Sequence, residues 1–574
     1  MARRLEERPY TSWQLIKAYW QSEYWVSAYL MIAVVLLMTV GLVVLEVLLN
    51  YWFNDFYDAL QEYDKRSVFE LIAVFLFLVS VIIVVNVYRY YLQSYLGLRW
   101  RRWLTEQFLD RWLAKRSYYY LEVFEDRTDN PDQRIQEDIG SLVINTLNLL
   151  VGLVASITTL FAFITILWKL SGVISIPLGS LGTWHVPGYL AWVGVIYAII
   201  GTWITFKIGR PLVMLNFEQQ RREANFRFAA VDLRTHSEHV ALYRGEQHQK
   251  TVLNNLVDSF LNNWYLIILR QKLLLWFTAG YNQIAVLVPL VVALPNYFSR
   301  VFKLGGLIQT LKAFDEVNAA LSFLVNSFTT IAEWRAVLRR LITFLNHIYE
   351  VEQSALIANH FNFHKTPQNK IAVKNVNVLT PRNETLLENV NEEFLAGEHV
   401  VIKGVSGIGK STFVRAIAGI WPYGSGDIIL PENKKIMYIP QKSYMPLGTL
   451  YEALLFPDKI ATVPEKRLFE LLDKCNLSEL KTRLHDTALW SQQLSPGEQQ
   501  RVAFIRVFIH KPDWVILDES TSALDIVSEK MMYELLKNEL PSCTIISVGH
   551  RPSLSDYHNR TVDMEKYSVQ KVTA

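Results

Sequence analysis

Apolar residues in this chain gather into long unbroken runs over its first part and become short and interrupted beyond it. Trp25 to Leu49 carries Glu46 as its one charge, and Phe69 to Tyr88 carries only Glu70, at its edge. Ser141 to Trp168, Pro187 to Phe206 and Leu273 to Phe298 carry none. About 20 apolar residues cross the hydrocarbon core as a helix, so these five runs predict membrane spans. A sixth run, Leu304 to Phe328, contains Lys312, Asp315 and Glu316. It predicts a span turned toward protein or water rather than lipid. The first run is too long for a cleavable signal peptide, and no small-residue cleavage pattern follows it.

Basic residues crowd alternate connections. The amino-terminal arm holds Arg3, Arg4, Arg8 and Lys17. The segment between spans two and three holds Arg99, Arg101, Arg102, Arg111, Lys115, Arg116, Arg127 and Arg134, and Lys207 to Lys272 is basic again. Asn50 to Ser67 holds only Lys65 and Arg66, and Ser171 to Val186 holds no Lys or Arg. Cytoplasmic connections of membrane proteins are enriched in Lys and Arg. The alternation therefore predicts six spans with both termini in the cytoplasm. The helical periodicity of the basic segments predicts that spans two to five extend well into it.

After about Val351 the pattern changes. Asn359 to Asn369 is polar, includes Pro367 and predicts a linker. Short β-branched runs then alternate with amphipathic helical ones: Ile371–Val378, Glu398–Ile402, Lys435–Ile439, Val515–Leu517 and Thr544–Val548. This predicts an α/β domain with a largely parallel sheet. The expected division is a helical membrane domain over 1–345, a linker over 346–370 and the α/β domain over 371–574.

Composition narrows the function classes. Of 574 residues, 51% are hydrophobic and only 19% charged, which excludes a disordered chain. A net charge of +3 gives no large basic field, so nucleic acid is not an expected partner. Cys475 and Cys543 form neither a disulfide framework nor a metal-ligand cluster.

The chemistry lies in the second half. Gly404-Val405-Ser406-Gly407-Ile408-Gly409-Lys410-Ser411 follows a predicted strand and opens a helix near Thr412. Glycines at 404, 407 and 409 let backbone N–H groups curl around phosphate oxygens, and a helix amino terminus adds a favourable dipole. Lys410 is placed to reach the β- and γ-phosphates, and the Ser411 hydroxyl to bind Mg²⁺. ATP and Mg²⁺ are the expected cofactors. Trp514 to Asp518 is a buried strand ending in the pair Asp518-Glu519. Asp518 is expected to hold Mg²⁺ through its waters, and Glu519 to polarise the water that attacks the γ-phosphate. Leu494-Ser495-Pro496-Gly497-Glu498-Gln499-Gln500-Arg501 reads locally as a capping box, with Ser495 at the N-cap, Pro496 at the first helical position and Glu498 at the third.

That last stretch is similar to the signature of ATP-binding cassette (ABC) ATPases. The order of elements in that family is also present: Lys410, Gln441, Ser495, Asp518-Glu519, Asp525 and His550. The resemblance implies that Gln441 links Mg²⁺ to the membrane domain. It implies that Ser522-Ala523-Leu524-Asp525 is a D-loop and that His550 contacts the γ-phosphate. It further implies that the helix starting at Ser495, with Gly497 and Glu498, closes on ATP held by the Gly-rich loop of a second subunit. One cassette with six spans then resembles a half-transporter, and a homodimer is expected. Two departures stand out: Pro496 replaces the usual Gly, and no aromatic occupies Val378-Leu379-Thr380, where many relatives stack adenine.

The first half points to a branch. Asn130 to Asp138, Glu223 to Phe228 and Ser237 to Glu246 resemble the peroxisomal and lysosomal subfamily D and the bacterial SbmA/BacA-like proteins. Gly305 to Thr310 and Ala332 to Ala336 look closer to the bacterial branch. The resemblance implies an exporter-like (type IV) membrane fold in a bacterial inner membrane, with the cassette in the cytoplasm and lipid around it. It implies ATP-driven alternating access moving a solute: peptides or cobalamin, or alternatively fatty acyl-CoA. Import and export both stay open, as does an ATP-gated channel. Gln133 and Glu238 are expected to take part in domain coupling. Lys312, Asp315 and Glu316, at i, i+3 and i+4, are candidates for a transport pathway or a self-satisfied ion pair.

Overall fold

The computed structural model describes residues 10–123, 130–177, 183–457 and 463–569. Arg3, Arg4, Arg8 and Arg127 lie outside the described residues. Two compact units form: Met1–Ala114 with Asp129–Ile348, and Lys115–Thr128 with Tyr349–Ala574.

The first unit is a helical membrane body. Its main helices are α1 (Trp25–Gln61), α2 (Lys65–Leu113), α3 (Ile139–Ser171), α4 (Tyr189–Thr235), α5 (Glu246–Phe298) and α6 (Leu304–Asn326). Five helical stretches are long and apolar enough to cross a membrane: Trp25–Gln61, Lys65–Val123, Pro131–Ser171, Tyr189–Thr235 and Glu246–Phe298. With 53 residues at about 1.5 Å each, α5 is far longer than a hydrocarbon core of about 30 Å. It therefore projects beyond the membrane, as the basic segments predict. The 23-residue α6 does not join the five, because its three charges lower its hydropathy. It packs against α1, α3, α4 and α5, and Ala313, Phe314 and Val317 are buried there. Its partners are thus protein. Gly305 permits the approach of α1 and α6: a Cβ there would lie 1.9 Å from the Asn54 carbonyl oxygen. The stretch without Lys or Arg after α3 contains an antiparallel hairpin, Val173–Pro177 with Thr183–Pro187.

The second unit holds two sheets. Five strands are parallel: β1 (His399–Lys403), β2 (Ile436–Ile439), β3 (Trp514–Asp518), β4 (Thr544–Val548) and β5 (Arg560–Asp563), in the order β5-β1-β4-β3-β2. Every residue of β3 and β4 is buried, which explains their continuous apolar character. A second sheet of four strands runs Asn359–Thr366, Gly424–Pro431, Lys370–Leu379, Thr385–Leu395. Two readings from the sequence are corrected here. The run Ile371–Val378 belongs to this mostly antiparallel sheet rather than the parallel one. The polar stretch from Asn359 is no linker: Asn359–Thr366 pairs residue by residue with Gly424–Pro431. Its polar residues alternate with Phe361, which is buried, and Phe363, as in a half-covered edge strand.

Candidate active site

The site forms where the parallel sheet delivers its carboxyl-terminal ends. β1 leads into the Gly-rich loop and then α7 (Lys410–Ile417). Gly407 and Gly409 have φ of +82° and +106°, a region that disfavours side chains, so the curl depends on glycine. Gly409 is the N-cap of α7. Lys410 is buried, and its Nζ donates to the carbonyl oxygens of Gly404 and Val405, both at 3.0 Å. Its Nζ also lies 2.9 Å from His550 Nε2. Burial pushes the Lys410 ammonium below its ordinary pKa, against the pull of Glu519 and Asp518.

β3 brings the acids to the same place. The Ser411 hydroxyl donates to Asp518 Oδ1 at 2.8 Å. Burial pushes the Asp518 carboxyl above its ordinary pKa, and the Ser411 hydrogen bond opposes that. Gln441, just beyond β2, donates to Glu519 Oε2 at 2.9 Å. His550, just beyond β4, places Nε2 3.5 Å from Glu519 Oε1. Lys410, Ser411, Gln441, Asp518, Glu519 and His550 therefore form one connected polar cluster, though they span 140 positions of sequence. Hydroxyl, amide and carboxylate oxygens of this kind suit a hard cation such as Mg²⁺.

Ser406 lies in the curl, and Thr412 in the first turn of α7. Ser495 caps α8 (Pro496–His510): Glu498 N–H donates to Ser495 Oγ at 3.3 Å, and Ser495 N–H donates to Glu498 Oε2 at 2.8 Å. Gly497 packs against the D-loop, where a Cβ would lie 3.2 Å from the Ala523 carbonyl oxygen. Asp525 caps α9 (Ile526–Glu539) by accepting from Val527 and Ser528 N–H groups, both at 2.9 Å. Among the described residues, no hydrogen bond joins the Ser495 turn to the Lys410 loop. In the membrane unit, Gln133 bonds Glu137 at 3.0 Å, and Glu238 is exposed on the short helix Ser237–Leu242. In the region where relatives stack adenine, Val378 is buried and the Leu379 carbonyl accepts from Trp421 Nε1 at 2.9 Å.

Sequence reasoning passed over two ties. Buried Gln500 donates to the Gln441 carbonyl at 3.3 Å and accepts from Ala523 N–H at 3.0 Å, joining the two loops through α8. Arg551 donates to the carbonyls of Leu524 at 2.7 Å and Ser522 at 2.9 Å, fixing the D-loop beside His550. It also passed over the segment after α2. Lys115 and Arg116 have φ of +50° and +64°, and the helix Ser117–Val123 belongs to the cassette unit. Arg116 Nη1 donates to the Gly419 carbonyl at 2.8 Å, just past the end of α7, and Ser117 bonds buried Glu352 at 2.9 Å.

Comparison with known proteins agrees with this geometry. Residues 15–298 match the family described as ABC transporter transmembrane region 2, and residues 387–522 match the ABC transporter family. The chain is 34% identical over 546 residues to the inner membrane ABC transporter ATP-binding protein YddA of Escherichia coli (strain K12), with 94% of each chain covered. The chain belongs to the ABC transporter family. It is a multi-pass membrane protein whose cytoplasmic cassette binds ATP and couples its hydrolysis to transport. A more distant relative of this transporter is the lysosomal cobalamin transporter ABCD4 of Mus musculus, at 27% identity over 80% of this chain and 79% of that one. Among solved structures, a bacterial Atm1-family ABC exporter with ATP bound shares the fold. Its TM-score is 0.70 at 18% identity, covering 94% of this chain and 92% of the other.

Proposed function

We propose that two copies of this chain form an ATP-driven pump of a bacterial inner membrane that moves hydrophilic solutes, such as peptides or cobalamin, by alternating access. The observation that carries this reading is the polar cluster of Lys410, Ser411, Gln441, Asp518, Glu519 and His550 within a cassette whose residues 387–522 match the ABC transporter family. ATP bound on the loop of one subunit is then closed over by the Ser495 turn of the other.

In that closed state Lys410 and the N–H groups of the Gly-rich curl hold the β- and γ-phosphates. Ser411, Asp518 and Gln441 would hold Mg²⁺, which neutralises phosphate charge when bound. Glu519 accepts a proton from the attacking water. His550 steadies the γ-phosphate, and Asp525 orders the D-loop at the junction of the subunits. Placed charges of this kind carry most of the work in phosphoryl transfer.

Closure reaches the membrane through cytoplasmic segments. Arg116 at Gly419 is one point of attachment, and Gln133 and Glu238 mark two further candidate segments. Support for a hydrophilic solute comes from α6. Among the described residues, no carboxylate lies within salt-bridge reach of Lys312, whose ammonium sits 5.4 Å from the Phe53 ring centre. Lys312 acts electrostatically on Asp315 and Glu316 without a described salt bridge to either, and we read this charged face inside the membrane as the mark of a pathway.

Vesicles reconstituted with the full chain test the proposal. Saturable, ATP-dependent accumulation of a peptide or of cobalamin, lost on Glu519→Gln, is the expected result. Passive flux that ATP opens and that survives Glu519→Gln would make the protein a channel. Movement of acyl-CoA alone would overturn the hydrophilic assignment.

A further inference from the structure

The membrane unit has a second feature that the ATP cycle does not use. A groove of about 350 Å³ runs between α2 and α3, lined in part by Gln93, Leu98, Arg101, Ile144 and Asn148. Ligand sites begin near this size. Gly140 lets the Arg101 guanidinium lie against the helix, since a Cβ at 140 would sit 3.2 Å from Arg101 Cζ. Arg101 Nη2 donates to the Gln136 carbonyl at 2.9 Å. Among the described residues no carboxylate is within salt-bridge reach of it, so its charge is uncompensated. Across the groove, Gln93 Nε2 donates to Asn148 Oδ1 at 2.8 Å.

Three helices fix the height of Arg101. The apolar run of α3 opens at Ser141, beside Gly140. The run of α1 opens at Trp25, and Arg99 lies 5.3 Å from the ring centre of neighbouring Tyr24. Tyr19, Trp20, Trp100 and Trp103 stack at that level, with Tyr19 and Trp100 5.5 Å apart. Aromatic side chains gather at membrane interfaces, and Lys and Arg at the cytoplasmic one. Arg101 thus sits at headgroup height on the cytoplasmic side. Leu98 and Ile144, both more than half exposed, lie about one turn deeper, and Tyr90 about three turns.

We propose that this groove holds an anionic phospholipid of the cytoplasmic leaflet. Its phosphate rests on Arg101. One acyl chain lies along Leu98 and Ile144. Charge complementarity selects this occupant, because a basic pocket between spans at the cytoplasmic face attracts anionic headgroups.

The test is native mass spectrometry of the full-length protein released from vesicles of equal phosphatidylglycerol and phosphatidylcholine. The wild type is expected to retain phosphatidylglycerol about fivefold over phosphatidylcholine, the factor one favourable charge supplies. Arg101→Gln should erase that preference and Arg101→Lys should keep most of it. Ile144→Trp, at an exposed position, should fill the groove and release lipid without disturbing the fold, which keeps the test valid if Arg101→Gln fails to assemble. Equal retention of the two lipids by the wild type would overturn the proposal, as would retention unchanged by both Arg101→Gln and Ile144→Trp. Displacement of the lipid by inorganic phosphate would make the site one for free anions. A lipid-free disulfide between two Ile144→Cys chains would assign this face to the subunit interface instead.

Discussion

Glu519 leaves the end of β3 with φ of +46°, an uncommon backbone for a residue other than glycine. The strain is held from several sides: its N–H donates to the Val548 carbonyl at 3.0 Å, and its own carbonyl accepts from Ser522 N–H at 3.0 Å. The carboxylate is thereby fixed between Gln441 and His550. Glu519→Gln preserves shape and removes only basicity. ATP turnover should fall by about 10²–10⁴, the usual contribution of a positioned base, while ATP affinity stays within about twofold. Turnover near the wild-type rate would remove Glu519 from the mechanism. His558 supports a second prediction. Burial pushes its pKa down to about 4, and its ring nitrogens are already engaged, Nδ1 at 2.6 Å from the Leu554 carbonyl and Nε2 at 2.9 Å from Ser547 Oγ. Between pH 6.5 and about 4 the unfolded chain therefore binds the extra proton and the folded one does not, so stability falls as pH falls across that window. The loss amounts to about 3 kcal/mol at the acid end. Denaturant titrations from pH 7 to 4.5 should show a shallower slope for His558→Gln, and identical slopes would refute the linkage. At this scale the site was legible wherever chemistry is written in local spacing, as at Gly404 to Ser411 or Ser495 to Glu498. Gln500 and Arg551 were not legible, because what they hold is set by loops 20 to 60 positions away.

The short helix α7 carries phosphate-binding residues at its start and, just past its end, the carbonyl that accepts from Arg116. Its first residues are Lys410 and Ser411, and Gly419 lies just past its end. At eight residues and about 1.5 Å each, it separates the two by only about 12 Å. Arg415, in its last turn, is within electrostatic reach of both Asp518 and Tyr119. A shift at the phosphate end therefore moves the carbonyl that receives Arg116. Arg116→Ala removes that one hydrogen bond and leaves the Lys410 cluster intact. Basal ATP hydrolysis should then stay within about twofold, while solute stimulation of it falls several-fold, since the bond is worth about 1–3 kcal/mol. Stimulation equal to wild type would show that Arg116 transmits nothing. Elements also mark where pattern reading runs out. Asn359–Thr366 looked like a connector because an edge strand needs apolar residues on one face only. The hairpin after α3 was hidden because a two-stranded ribbon leaves so little periodicity in five-residue strands.

At the scale of the whole molecule the decisive question is which chain supplies the second wall of each nucleotide site. The protein is well suited to answering it. Its two cysteines, Cys475 and Cys543, are buried, and burial pushes both thiols up to about 12, far from the thiolate form that reacts. Cysteines introduced at exposed positions would react alone. Ser406 in the Gly-rich curl and Ser495 at the cap of α8 are both exposed. If each closed site is built from two chains, a chain carrying Ser406→Cys mixed with one carrying Ser495→Cys should give a disulfide-linked dimer under mild oxidation. Yield should rise with ATP in a Glu519→Gln background, where closure outlasts hydrolysis. Each variant oxidised by itself should give little product, since its two cysteines would then sit in separate sites. A single chain carrying both substitutions should likewise cross-link between chains, doubling its mass on a denaturing gel. Oxidation that leaves the doubly substituted chain at monomer mass, with the thiols consumed, would mean that the curl and the cap close within one chain, and the two-chain pump would fall with it.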